Sequence, residues 1–135
     1  MPQPKPGEIK TDLGRVRGMG SAHSGVQHWW MVKITAVALI PLTVWFLCSF
    51  VCGVVMQGGT FAASLDWIQK PYHSFPLVLL LIVNFYHAEI GGQEIILDYV
   101  HKRGPQVAAL LLYKFFCYGL MALSVYSVLY ITFKM

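Results

Sequence analysis

Charge is what this chain most lacks. Only 12% of its 135 residues are Asp, Glu, Lys or Arg, while 56% are hydrophobic; an ordinary soluble domain has about a quarter of its residues charged. That balance excludes a soluble globular domain and predicts a small polytopic membrane protein. No charged residue stands from Ile34 to Leu65 or from Phe75 to Ala88, and only Lys114 interrupts Gly104 to Phe133. Cysteine is scarce too. Cys48, Cys52 and Cys117 form no CxxC or CxxCH pattern, which argues against cluster ligation and leaves them as small apolar packing residues. No glycine-rich dinucleotide fingerprint and no internal repeat is present, so flavin or nicotinamide chemistry would have to reside on another chain. About thirty polar, Gly- and Pro-containing residues precede the first apolar run, unlike a secretory signal, so the first helix is expected to be retained as a span.

Crossing the hydrocarbon core takes about 20 apolar residues, so three spans fit. The predicted fold is an all-α membrane protein with helices near 33–56, 75–100 and 105–132, preceded by an arm over residues 1–32 at the membrane surface. Residues 33–135 form the anchor itself. Trp29 and Trp30 suit the headgroup layer, Thr35 opens the first helix, and Pro41 introduces a kink. Gly58, Gly59 and Asp66 mark a loop with Trp67 as an interfacial anchor. Gly104 and Pro105 form a tight turn that makes the last two helices an antiparallel hairpin. The net charge of +4 is distributed unevenly: Lys5, Lys10, Arg15, Arg17 and Lys33 precede the first span, and Lys102 and Arg103 lie between the second and third. The positive-inside rule then puts the N-terminus and the second loop in the cytoplasm or matrix and the C-terminus outside. Topology accounts for the basic excess, and no nucleic acid is called for. Three helices enclose too little space for a large cofactor, which calls for a partner chain within the lipid bilayer.

The second span carries the chemistry. Tyr86 to His101 reads YHAEIGGQEIILDYVH, and ionisable groups in a span call for a functional explanation. At about 100° per residue, His87, Gly91, Glu94 and Asp98 fall within roughly 60° on one face. Tyr99 and His101 follow at the mouth, and Lys102 and Arg103 stop the helix. His87 lies twelve residues into the predicted span, about 18 Å along it and so close to the middle of a ~30 Å core. The residues alone leave two readings open there, a histidine hydrogen-bonded across a helix interface or a haem ligand whose second nitrogen is held by a hydrogen bond. Gly91 removes a side chain where a macrocycle or a helix approaches. Asp98 beside Tyr99 can hold a hydroxyl or a water ready to donate to a carbonyl oxygen such as that of a quinone. Glu94 suits a cationic group of a partner helix or a proton path. Glu89, roughly 160° from Asp98, faces a different neighbour. Lys33 and Lys114 read as snorkelling residues, Lys33 with the further option of a haem propionate.

A mid-span His followed by Gly four residues later and Asp-Tyr eleven and twelve later, here His87, Gly91, Asp98 and Tyr99, resembles the hydrophobic membrane anchor of succinate dehydrogenase, respiratory complex II. LGRVRGMGSAHSG, HWW and KITAVALIPLTVWF look like the alphaproteobacterial form of that family, and the similarity runs from Leu13 to Val100. The resemblance implies that His87 is an axial ligand of haem b, with the other ligand supplied by a sister anchor, the cytochrome b subunit of the same complex. It implies that Tyr99, with Asp98 close by, contacts a quinone, ubiquinone being favoured over menaquinone. It also implies docking onto the iron–sulfur subunit, with a flavoprotein subunit beyond, in the bacterial inner membrane or, less favoured, the mitochondrial one. The family usually carries arginine where this chain has Lys33, which loses bidentate contact. Lys33 and His28 are retained as candidates for propionate or quinone-region contacts. A rival reading from another class is a small proton-coupled transporter relaying protons through Glu89, Glu94 and Asp98; the missing repeat counts against it.

Overall fold

The computed structural model describes residues 23–134, with side chains from Val26 to Phe133. Four helices follow in order: α1 (His23–Phe50), α2 (Phe61–Gln69), α3 (Pro71–Tyr99) and α4 (Arg103–Lys134). Among the described residues, 92% are helical and none lies in a strand. Three stretches are long and apolar enough to cross a membrane: Val26–Val55, Pro71–Tyr99 and Arg103–Phe133. The all-α, three-span expectation holds.

The helices outrun the predicted spans because backbone hydrogen bonding does not stop where hydrocarbon does. α1 starts at His23, so Gln27, His28, Trp29 and Trp30 are helical rather than part of an arm, and Thr35 sits three turns inside. The rest of that arm, residues 1–22, lies outside the described residues. α1 also runs through Pro41 without ending. It closes with a wider turn over Val51–Val55, where Met56 N–H donates to the Val51 carbonyl at 2.9 Å. Gly58 and Gly59 then take φ of 100° and 62°, values at which a side chain is strained, and this terminates the segment.

The outer-loop expectation needs correction, because residues 61–69 form a helix. Thr60 caps it, its Oγ1 accepting from Ala63 N–H at 3.2 Å, as short hydroxyl residues do at helix starts. Trp67 is no interfacial anchor. It is 2% exposed and packs with Val54, Leu77 and Val128, flanked by Trp45, Phe46 and Phe50. Gly53 makes this possible: a Cβ there would stand 2.7 Å from Trp67 Cδ1. Trp67 Nε1 donates to Ser49 Oγ at 3.1 Å, His73 Nδ1 lies 3.1 Å from the same oxygen, and the His73 ring stacks on Trp67. This aromatic knot clamps one end of the bundle.

α3 is the central helix, packing against both α1 and α4. The hairpin between α3 and α4 is as expected, but the turn is Val100–Lys102, and Gly104 and Pro105 lie in the first turn of α4. Proline is well placed there, since a first-turn N–H has no intrahelical partner to lose. A Cβ on Gly92 would overlap the Tyr113 hydroxyl, which donates to the Ala88 carbonyl at 2.8 Å. The hairpin therefore closes glycine against tyrosine. Apolar side chains elsewhere on all three long helices are exposed, Val37, Leu112 and Phe133 among them, as expected of surfaces that meet lipid or other helices. Cys117 is buried, whereas Cys48 and Cys52 face outward, so only Cys117 packs inside the chain.

Candidate functional site: the polar faces of the central helix

The predicted polar stripe faces α1, and it forms rungs. His87 Nδ1 lies 2.8 Å from Thr35 Oγ1. Seven residues further along α3, Glu94 Oε1 lies 3.1 Å from His28 Nδ1, seven residues back along α1. Equal and opposite steps of seven are two turns of each helix, as an antiparallel pair requires. Gly91 lies between the rungs, and a Cβ built on it meets nothing within 4 Å, so glycine leaves an open notch one turn from His87. Asp98 and Tyr99 are exposed at the end of α3, Tyr99 at 81%. Neither packs into the chain.

Glu94 thus has a partner within this chain, and the same contact occupies His28 Nδ1. Lys33 is exposed, with Nζ 5.7 Å from the Trp29 ring centre and its stem beside Ile34 and Val37. That cation–π contact suits a lysine at the edge of the apolar zone.

The opposite face of α3 holds Glu89, as its spacing from Asp98 predicted, with partners that spacing alone did not reveal. Glu89 is 3% exposed, hydrogen-bonded by Gln93 one turn on, with Lys114 Nζ of α4 at 3.6 Å. Lys114 is therefore not merely a snorkelling residue; it supplies the cation for a buried carboxylate. Glu89, Gln93 and Lys114, together with Gln27, His28 and Trp30, line an open cavity of about 660 Å³ between α1 and α4. Breaking a buried pair from one side costs more than removing both charges. Lys114→Met should lower the stability of the hairpin by about 1–3 kcal/mol, and Glu89→Gln with Lys114→Met should recover most of it. The check is a double-mutant cycle on thermal unfolding in detergent, and a loss in the double variant equal to the sum of the two single losses would show that the two groups do not couple.

Among the described residues no three His, Cys, Asp or Glu side chains cluster to hold a metal ion. His87 taken alone offers one ligand, so a metal bound there takes its remaining ligands from elsewhere. Fold and site together define an integral membrane protein whose central helix carries a mid-span histidine, His87, and an exposed acidic–phenolic end, Asp98 and Tyr99. The chain belongs to the succinate dehydrogenase/fumarate reductase transmembrane subunit family, whose profile matches residues 7–128. It is 31% identical over 110 residues to the succinate dehydrogenase hydrophobic membrane anchor subunit of Paracoccus denitrificans, covering 82% of each chain. It is 28% identical over 94 residues to the protein of the same name from Rickettsia bellii, covering 69% of this chain and 72% of that one. A succinate dehydrogenase membrane anchor subunit of Reclinomonas americana is 26% identical over 90 residues, covering 66% and 74%. No solved structure gives a significant match. The family resemblance read from His87, Gly91, Asp98 and Tyr99 is confirmed.

Proposed function

We propose that this chain is the membrane anchor of a succinate:quinone oxidoreductase, holding haem b jointly with a sister anchor and forming part of the site where quinone is reduced. The observation that carries the anchor reading is the likeness over most of its length to proteins named as such anchors. Succinate oxidation would take place on a flavoprotein subunit and electrons would arrive through an iron–sulfur subunit, since this chain has neither cofactor fingerprint. Together these belong to respiratory electron transport and the tricarboxylic acid cycle, in a bacterial inner membrane.

His87 fits an iron ligand. Its Nδ1 is engaged by Thr35, its Nε2 has no partner among the described residues, and Gly91 leaves room beside it. A b-type haem held there would supply a one-electron redox centre within the membrane. The end of the bundle with Lys102 and Arg103 is assigned to the inner surface by its charge, and Asp98 and Tyr99 lie at that end. There the Tyr99 hydroxyl would donate to a quinone carbonyl oxygen, with Asp98 orienting it or a water. Lys33 and His28 remain candidates for the haem propionates or the quinone region, His28 only by sharing its ring with Glu94.

The transporter reading finds less support. Glu89 and Glu94 point to different helices and each is paired within the chain, so they do not line up as one relay with Asp98. The test is purification of the tagged chain from its native membrane in mild detergent. A pigmented complex containing flavoprotein and iron–sulfur subunits, active from succinate to quinone, is the expected outcome. A colourless homo-oligomer would overturn the anchor reading.

A further inference from the structure

The contact between Thr35 and His87 carries an assignment that rests on the haem reading and deepens it. Thr35 Oγ1 lies 2.7 Å from the Met31 carbonyl oxygen and 3.1 Å from that of Val32, both in the preceding turn of α1, and 2.8 Å from His87 Nδ1. A carbonyl oxygen only accepts, and a hydroxyl has a single proton. The shortest of these contacts, to the Met31 carbonyl, and the second acceptor at Val32 favour a Thr35 proton directed back to its own helix, with Oγ1 offering its lone pair to His87. With the Thr35 proton so placed, Nδ1 is the nitrogen that bears the hydrogen. A neutral imidazole has only one N–H, so the Nε2 lone pair is free for a metal.

The opposite tautomer is disfavoured from both sides. It would turn the Thr35 hydroxyl away from the Met31 and Val32 carbonyls, and it would leave an Nε2–H without an acceptor among the described residues, inside a membrane span. Thr35 is 8% exposed, so little water reaches the hydroxyl to compete. The branched β-carbon adds stiffness, since threonine in a helix keeps two side-chain rotamers according to which carbonyl of the preceding turn it bonds.

We propose that Thr35 is a positioning residue for haem: it holds His87 as the Nδ1–H tautomer, sets the direction of Nε2 and, through the N–H···O bond, raises the electron-donating strength of the ring. Outer partners of this kind orient metal-bound histidines and increase their basicity. Neither the mid-span histidine nor its spacing from Asp98 and Tyr99 identifies this residue. It is visible only once α1 and α3 are set in register.

The test is a potentiometric titration of the b-type haem, with haem content per complex, in the intact membrane complex carrying the parent chain, Thr35→Val or Thr35→Ser. Valine keeps the branched shape and removes the hydroxyl; serine keeps the hydroxyl. Thr35→Val should hold haem about 10–100-fold less tightly, and the haem that remains should have a raised midpoint potential, because a weaker donor costs the ferric state more than the ferrous. Thr35→Ser should stay close to the parent in both. If Thr35→Val does not accumulate, Thr35→Ala is read in the same way at matched protein content. Parental haem content and potential in the variant lacking the hydroxyl would overturn the assignment, as would an equal shift in Thr35→Ser. His87→Ala separates the two levels. A b-type signal that survives it overturns the assignment of His87 as the iron ligand and moves that ligand to another residue, whereas a signal lost in His87→Ala but untouched in Thr35→Val overturns only the role of Thr35.

Discussion

Replacing His87 with alanine should abolish the b-type signal in a reduced-minus-oxidised absorption spectrum of the purified complex, compared with the parent at matched protein content. The expected effect is large because His87 stands alone. No cluster of histidine, cysteine or carboxylate among the described residues can take over as ligand, and the other histidines with described side chains are elsewhere. His28 is engaged with Glu94 two turns away on α1, His73 is stacked on Trp67 at the far end of α3, and His101 lies beyond the end of that helix. Losing an axial ligand should cost more than the 10–100-fold typical of an outer partner, so haem retention should fall by at least about 100-fold. The fold should survive. His87 is only partly buried, and alanine removes one hydrogen bond while Thr35 keeps its bonds to Met31 and Val32. An unchanged spectrum would move the ligand to another residue, and a parent complex without haem would leave only the anchoring role.

The two readings that the sequence left open for His87, interhelical hydrogen bond or iron ligand, do not exclude one another. The imidazole has two nitrogens. The contact with Thr35 uses one and leaves the other available, and an imidazole ligand needs that arrangement to keep a single tautomer. A polar residue can thus hold α1 to α3 and serve a cofactor at the same time.

What was legible in the sequence follows from the range of the forces involved. Three spans could be read from hydropathy because each exceeds the length of the hydrocarbon core, and the polar stripe could be read because helical periodicity is local. The start of α1 was obscured for the opposite reason. Gln27 and His28 are polar and follow a glycine-rich stretch, so composition reads them as arm, whereas the helix continues into the region where polar side chains meet water. That error hid the Glu94–His28 rung. Residues 61–69 are too few to span and carry Asp66, so nothing local distinguishes the capped helix from a loop; Trp67 is buried because Gly53, fourteen residues earlier, leaves it room. The pairing of Glu89 with Lys114 depends on how α3 and α4 are rotated against each other. One signal was available: an unpaired buried carboxylate in a span is costly, and Lys114 is the one cation within the third span. Thr35 offered no signal at all, since threonines bond back to their own helix routinely.

Tyr99→Phe should separate the two halves of the overall reaction. Tyr99 is 81% exposed at the end of α3, and phenylalanine keeps the ring while removing only the hydroxyl, so assembly and haem content should match the parent. If the hydroxyl donates to a quinone carbonyl oxygen, its loss removes a hydrogen bond that strengthens as negative charge develops on that oxygen during reduction. Proton donation by a positioned side chain is worth about 10²–10⁴-fold. A fall of about 100-fold in quinone reduction is therefore expected. Succinate oxidation with an artificial acceptor that takes electrons upstream of the membrane should be unaffected, because no part of that route passes through Tyr99. The two assays run on one preparation decide the matter. A parallel fall in both, with the complex fully assembled, would point to damaged docking of the iron–sulfur subunit, and parental rates in both would assign the exposed phenol to interfacial anchoring, where tyrosine is common for its amphipathic ring alone.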